Sequence, residues 1–220
     1  MKIKYEPIFS YNSDIEKNAY MNWRMDRFDS ISNLNNIAKG YSKATIILCE
    51  SCLENNKYKD ADIIIFPILF SANHSIELYL KSIMWSINIL TKKESKFEKH
   101  HNICQIYNTV KNMILRFQED KEEREEVKKL LKNLGKYIEE IKPIIECKDK
   151  NKNKNNIDFS RYPINNDWEK HFYVEAFNNV VVDLENFIIR FEEIFENLES
   201  VAGYYNHLVD VKNEIESMDI

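Results

Sequence analysis

The sequence predicts an all-α fold, and three observations carry that prediction. Apolar residues recur at three- and four-residue steps along most of the chain, the spacing of a helix with one buried face. Only three glycines (Gly40, Gly135, Gly203) and four prolines (Pro7, Pro67, Pro143, Pro163) punctuate the 220 residues, far fewer than the turns of a β-rich protein require. No βαβ alternation and no internal repeat is present. With 44% hydrophobic residues the chain can fill a sizeable core. The expectation is a bundle of four to six long helices over residues 29 to 220, preceded by an arm at residues 1 to 28.

The arm mixes aromatic and polar residues (YEPIFSYNSD, then YMNWRMDRF) without a clear period, as a segment laid over the body with one short helix would. From about Asp29 the pattern turns helical through Ile37, Tyr41, Ala44, Leu48 and Cys52, and should end in ENNK at 54–57. A second element runs from about Lys59 to Thr91, with Asp60 and Asp62 in its first turn, where carboxylates suit the helix dipole. Leu69, Ala72, Ile76, Leu80, Ile83, Ile87 and Leu90 keep one face apolar, and Pro67 predicts a kink or a break. A third helix is expected from about His101, carrying Ile103, Ile106, Tyr107, Val110 and Ile114. A fourth should hold Val127, Leu130, Leu131, Leu134, Ile138 and Ile141, with Pro143 stopping it near Lys142.

Residues 146 to 170 form the longest irregular stretch: a solvated Lys/Asn run, then DFSRYPINNDW, whose aromatics predict an ordered, packed segment. The clearest period follows, through Val174, Phe177, Val181, Leu184, Ile188, Phe191, Phe195 and Leu198, widened by Val180, Phe187 and Ile194. A stripe that broad predicts contact with two neighbouring helices. Gly203 marks an expected break before a last helix over roughly 204–217.

Charge and cysteine content narrow the function classes. The net charge of −5 supplies no global field for nucleic acid, so an RNA contact would need a local patch. The most apolar run, residues 63 to 72, is half the length of a membrane span, and the opening MKIKYEPIFSYNSD has no secretory core. The expectation is a cytoplasmic protein with no membrane partner. Cys49 and Cys52 form a CxxC inside a helical stretch with no second pair, and together with Cys104 and Cys147 they read as packed or inert thiols.

Three short motifs carry chemistry. In SANHSIELYLKSIM, His74, Glu77 and Lys81 fall at i, i+3 and i+7 and share a helix face, about 120° from the apolar one. That face is either a solvated edge, a satisfied inter-helix network or part of a site. In KHHNICQIY, His101 and Asn102 stand where a helix begins, and a neutral imidazole there can act as a base or a metal ligand. In FSRYPIN, Arg161 lies between Phe159 and Tyr162, with Pro163 stiffening the backbone. Its guanidinium can grip a phosphate, or pin the loop to the bundle through a carboxylate such as Glu77. No spacing signature supports a metal site from His74, Glu77 and His101.

Taken together and in this order, the three motifs resemble the pattern of bacterial HEPN-like domains: His74, Glu77, Leu78, Leu80 and Lys81, then His101 and Asn102, then Arg161, Tyr162 and Pro163. Ile103 stands where that pattern has Leu. The resemblance spans roughly residues 60 to 200. It implies a HEPN-like helical bundle, a homodimer, and a role in defence or a toxin–antitoxin system, with RNA or a nucleotide and a partner protein as binding partners and no cofactor. HEPN ribonucleases use an Arg and a His four to six residues apart, and no arginine of this chain is so placed. Two functions therefore stay open. In a metal-independent endoribonuclease, His101 would be the general base, Arg161 would stabilise the phosphorane and Glu77 would complete the catalytic group. His74, Lys81, Asn102 and Tyr162 would bind, and Lys148, Lys150, Lys152 and Lys154 would hold the RNA backbone. In a non-catalytic interaction or nucleotide-binding module, a partner subunit, the same residues would lock helix register.

Overall fold

The computed structural model of the protein describes residues 7–93, 96–146, 158–165 and 167–218. Among them are six α-helices and no strand: α1 (Ser30–Glu54), α2 (Ala61–Leu90), α3 (Ile103–Phe117), α4 (Lys121–Leu130), α5 (Lys132–Glu146) and α6 (Leu184–Met218). An isolated antiparallel bridge joins Ile164 to Lys170.

The helices begin where side chains can satisfy their first N–H groups. Asp29 accepts from Ile31 and Ser32 at the head of α1, Asn102 from Gln105 at the head of α3, and Asp120 from Glu122 and Glu123 at the head of α4. Asp183 does the same for α6, accepting from the Asn186 N–H at 3.1 Å. Asp60 precedes α2 but makes no such side-chain bond.

Helix α2 is the axis of the molecule. It packs most extensively on α1, then on α6 and α3, and from Ser71 to Met84 nearly every residue is buried. A helix covered on several sides must be apolar nearly all round, which is what ADIIIFPILF and SIELYLKSIM supply. By length and composition alone α2 would also pass for a membrane span; just over half of its most apolar window is buried inside the protein. Specific bonds fix the neighbours to it. Ser75 donates to the Ala38 carbonyl of α1, the Tyr137 hydroxyl of α5 donates to Asn73, and Lys212 of α6 donates to the Ile89 carbonyl. Cys49, Cys52 and Cys104 are free and buried in the core, and burial pushes the Cys49 thiol up to about 11, aided by the charges of Cys52 and Glu50. Cys147 and the lysines at 148, 150, 152 and 154 lie outside the described residues.

The structure departs from five expectations. Pro67 does not break α2, because the carbonyl it deprives of a partner belongs to Ile63, a residue exposed on the first turn where water can take over. Pro143 likewise lies inside α5, which continues to Glu146; the freed carbonyl is that of exposed Glu139. The expected fourth helix is two helices divided at Leu131, whose buried side chain turns into the core. The heptad stripe from Val174 is helical only from Leu184: Val174, Phe177, Val180 and Val181 precede α6 and are exposed. That helix then passes through Gly203 without a break, and a Cβ added there would meet nothing within 4 Å.

The segment before α1 contains one short 3-10 turn, Ile15–Lys17. Its end is tied to α1, where Asn36 donates to the Arg24 carbonyl and Asn33 both accepts from the Asp26 N–H and donates to its carbonyl.

Candidate functional site

Glu77 is the centre of the polar group. It sits in the middle of α2 with 1% of its surface exposed, and two cations or donors converge on one of its oxygens. Lys81, one turn on, places Nζ 2.7 Å from Oε1, and His101 Nδ1 lies 2.7 Å from the same atom. Lys81 is itself buried, its ammonium 5.4 Å from the centre of the Phe97 ring. The other oxygen, Oε2, has no hydrogen-bond partner, and His74 Nδ1 lies 3.7 Å from it.

Burial alone would push the Glu77 carboxyl up. The His74, Lys81 and His101 side chains outweigh that and hold it at about 2. An ionised carboxylate can only accept hydrogen bonds, so the proton in the Glu77–His101 contact belongs to His101 Nδ1. In the neutral ring Nε2 then carries the lone pair. The His101 side chain is about half exposed, while its Nδ1 is anchored on the buried Glu77 carboxylate.

His74 is held by rings. Phe70, one turn before it, stacks on the imidazole at 5.6 Å, and Tyr41 of α1 meets it edge-on at 4.5 Å. Phe70 also receives Arg161, whose guanidinium carbon is 5.5 Å from the ring centre; the Tyr162 ring flanks the same guanidinium at 5.2 Å. Arg161 therefore stands one ring away from His74. Its carboxylate partner is Asp158 at 3.7 Å, not Glu77.

The segment that carries Arg161 is ordered as its aromatics predicted. Asp158–Ser160 forms a 3-10 turn with all three residues buried, and the Arg161 and Tyr162 N–H groups both donate to the Asp158 carbonyl. Phe159 packs on Phe172, and the Tyr173 hydroxyl donates to the Tyr162 carbonyl. Asp158 faces His171 and His101 as well as Arg161. Burial raises its pKa, while those three cationic or protonatable groups pull it down. Burial also lowers the pKa of His171, against the pull of Asp158.

So the fold gathers His74, Glu77, Lys81 and His101 into one contiguous group, and brings Arg161 beside it through Phe70. Asn102 is adjacent in sequence but its side-chain oxygen caps α3, and Tyr162 is half-exposed beside Arg161. Sequence reading passed over Asp158 and His171. A signal for Asp158 exists in DFSR, where a carboxylate three residues before an arginine pairs with it across one turn. Among the described residues, no three His, Cys, Asp or Glu side chains form a group fit to hold a metal ion. No protein-family model, curated protein or solved structure matches the chain.

Proposed function

We propose that this group is a metal-independent RNA-cleaving site of a HEPN-like protein of the defence or toxin–antitoxin kind. The observation that carries the proposal is the Glu77–His101 pair: a buried, ionised carboxylate fixes Nδ1–H and leaves Nε2 of a half-exposed ring as the proton acceptor. His101 then removes the proton of an RNA 2′-hydroxyl, the oxygen attacks the adjacent phosphorus, and the 5′-oxygen departs with a proton returned by the imidazolium. The products are a 2′,3′-cyclic phosphate and a 5′-hydroxyl. Arg161, half exposed, paired loosely with Asp158 at 3.7 Å and held by Phe70 and Tyr162, stabilises the charge on the phosphorane. In this reading Glu77 positions His101 rather than touching the substrate, and Lys81 keeps Glu77 ionised.

A second reading, a non-catalytic module that binds a nucleotide or a partner protein, draws support from Lys81 and Asn102, whose side chains are already committed to Glu77 within α2 and to the cap of α3. Cleavage of several RNAs by the purified protein in EDTA, beside His101→Ala and Arg161→Ala, separates the two. Because both side chains are about half exposed, both variants should keep the wild-type circular-dichroism spectrum. The expected result is cleavage by the wild type, reduced at least ~100-fold in each folded variant, the scale of losing a general base or a charge-stabilising group. Cleavage retained in both variants would overturn the proposal, and absence of wild-type cleavage across the RNAs would favour the second reading.

A further inference from the structure

Between α3, α4 and α5 lies a cleft of about 440 Å³ with a different chemistry, remote in sequence from the residues of the Glu77 group. Its floor is aliphatic: Ile114 and Leu115 of α3, Val127 of α4, and Leu131 at the division between α4 and α5. Its rim carries Lys111 from α3, Lys128 from α4, and Lys132 and Lys136 from α5, against a single carboxylate, Glu139. In a chain with a net charge of −5 this concentration of cations is local and unbalanced.

The lysines are also short of partners. Lys128 pairs with Glu125 at 2.6 Å, but no carboxylate among the described residues comes within 4 Å of Lys111, Lys132 or Lys136. Lys132 and Lys136 stand at i and i+4 of α5, like charges that face each other, an arrangement that costs helix stability unless an anion relieves it. Glu140, the i+4 partner available to Lys136, is drawn away to Arg190 of α6 at 2.8 Å. The close approach of the two walls is set by Gly135, where a Cβ would meet the Tyr107 hydroxyl at 2.6 Å.

We propose that this cleft binds a small molecule bearing two or more phosphate groups on an apolar or flat body. The phosphates lie among the Lys111, Lys132 and Lys136 ammonium groups, which bind phosphate as point charges, and the body rests on the aliphatic floor. The volume is that of a small-molecule site. A long polyanion suits the surroundings less well: Glu139 lines the cleft, and in sequence Glu122, Glu123, Glu125 and Glu126 precede Lys128 on α4 while Glu140 follows Glu139 on α5.

Isothermal titration of the full chain with ATP, and separately with tripolyphosphate, tests this. The expected result is saturable one-site binding of ATP, with tripolyphosphate weaker because it has nothing to lay on the floor. A Lys132→Ala/Lys136→Ala variant should lose tenfold or more in affinity. Leu115→Glu, which supplies the missing carboxylate from within, should abolish binding with the fold intact by circular dichroism. His101→Ala and Arg161→Ala should bind ATP as the wild type does. The proposal is overturned by no saturable heat with either probe, by undiminished affinity in the lysine variant, or by tripolyphosphate matching ATP. An RNA oligonucleotide that displaces ATP from the wild type but not from the lysine variant would overturn the small-ligand assignment.

Discussion

At the scale of the residue, Glu77 decides the most. Its pKa of about 2, against an ordinary 4.5, means that the folded chain holds the carboxylate where an unfolded chain would take up a proton. Between those two values the unfolded state binds the extra proton, so stability rises with pH across the window and is lost as pH falls through it. The lowering corresponds to about 3 kcal/mol at neutral pH. Glu77→Gln should therefore lower unfolding free energy at pH 7 by about 3 kcal/mol or more, since it also leaves Lys81 buried without a counter-charge. Urea unfolding at a series of pH values should converge for the two proteins between pH 4.5 and 2. Parallel curves over that window would show that Glu77 is not the ionised centre. The position of this residue was legible from its helix register with His74 and Lys81. Its burial was not, because an i, i+3, i+7 polar face looks the same whether the next helix covers it or water does. What covers it is the His101 turn at the head of α3, brought there by a connection that spacing alone does not measure.

At the scale of the element, the sequence spoke clearly where local chemistry and packing agree, and misled where they part. The α1 and α3 boundaries follow from Asp29 and Asn102 as caps. The start of α6 was misplaced by ten residues because Val174, Phe177 and Val181 extend its heptad spacing, while the chain there is occupied by aromatic contacts of its own: Tyr173 with Phe66 of α2, and Phe172 with Phe159. Asp183, the residue that caps α6, was the better signal. Glycine misled in the same way. Gly203 and Gly135 are both helical, yet a methyl at Gly203 would meet nothing within 4 Å, and one at Gly135 would strike Tyr107. Gly203→Ala should stabilise the protein by up to about 1 kcal/mol through helix propensity. Gly135→Ala should destabilise it by roughly 1–3 kcal/mol, because the buried Tyr107 ring must shift. Adding Tyr107→Phe should recover much of that loss. Equal effects at the two glycines in thermal unfolding would refute the steric account.

At the scale of the whole molecule, stability resides in the helices around α2, and the segment before α1 adds little to it. Ile8, Phe9, Tyr11, Met21, Trp23 and Phe28 are all exposed, Phe9 by 91%, and the ring contacts of Tyr20 are with Tyr11 and Trp23 of the same segment. The aromatic composition of this arm is therefore not spent on the core, although composition alone could not separate the two outcomes. Among the described residues, the arm's hydrogen bonds to the bundle come from its last residues, Arg24, Asp26 and Asp29. A protein that starts at Arg24 keeps those bonds, and the described residues it lacks bury almost no apolar surface. Its thermal midpoint should lie within about 2 °C of the full chain, as expected when less than ~1 kcal/mol is lost from a domain of this size. Its urea m-value should be unchanged, because m follows the area exposed on unfolding. Within the described part of the arm, trypsin should meanwhile cut the folded full chain at Lys17, which is exposed in the 3-10 turn, and leave the helices intact. A midpoint lowered by several degrees, with a smaller m-value, would mean that the arm covers part of the core after all, and that the apolar surface of the bundle is completed from outside α1 to α6.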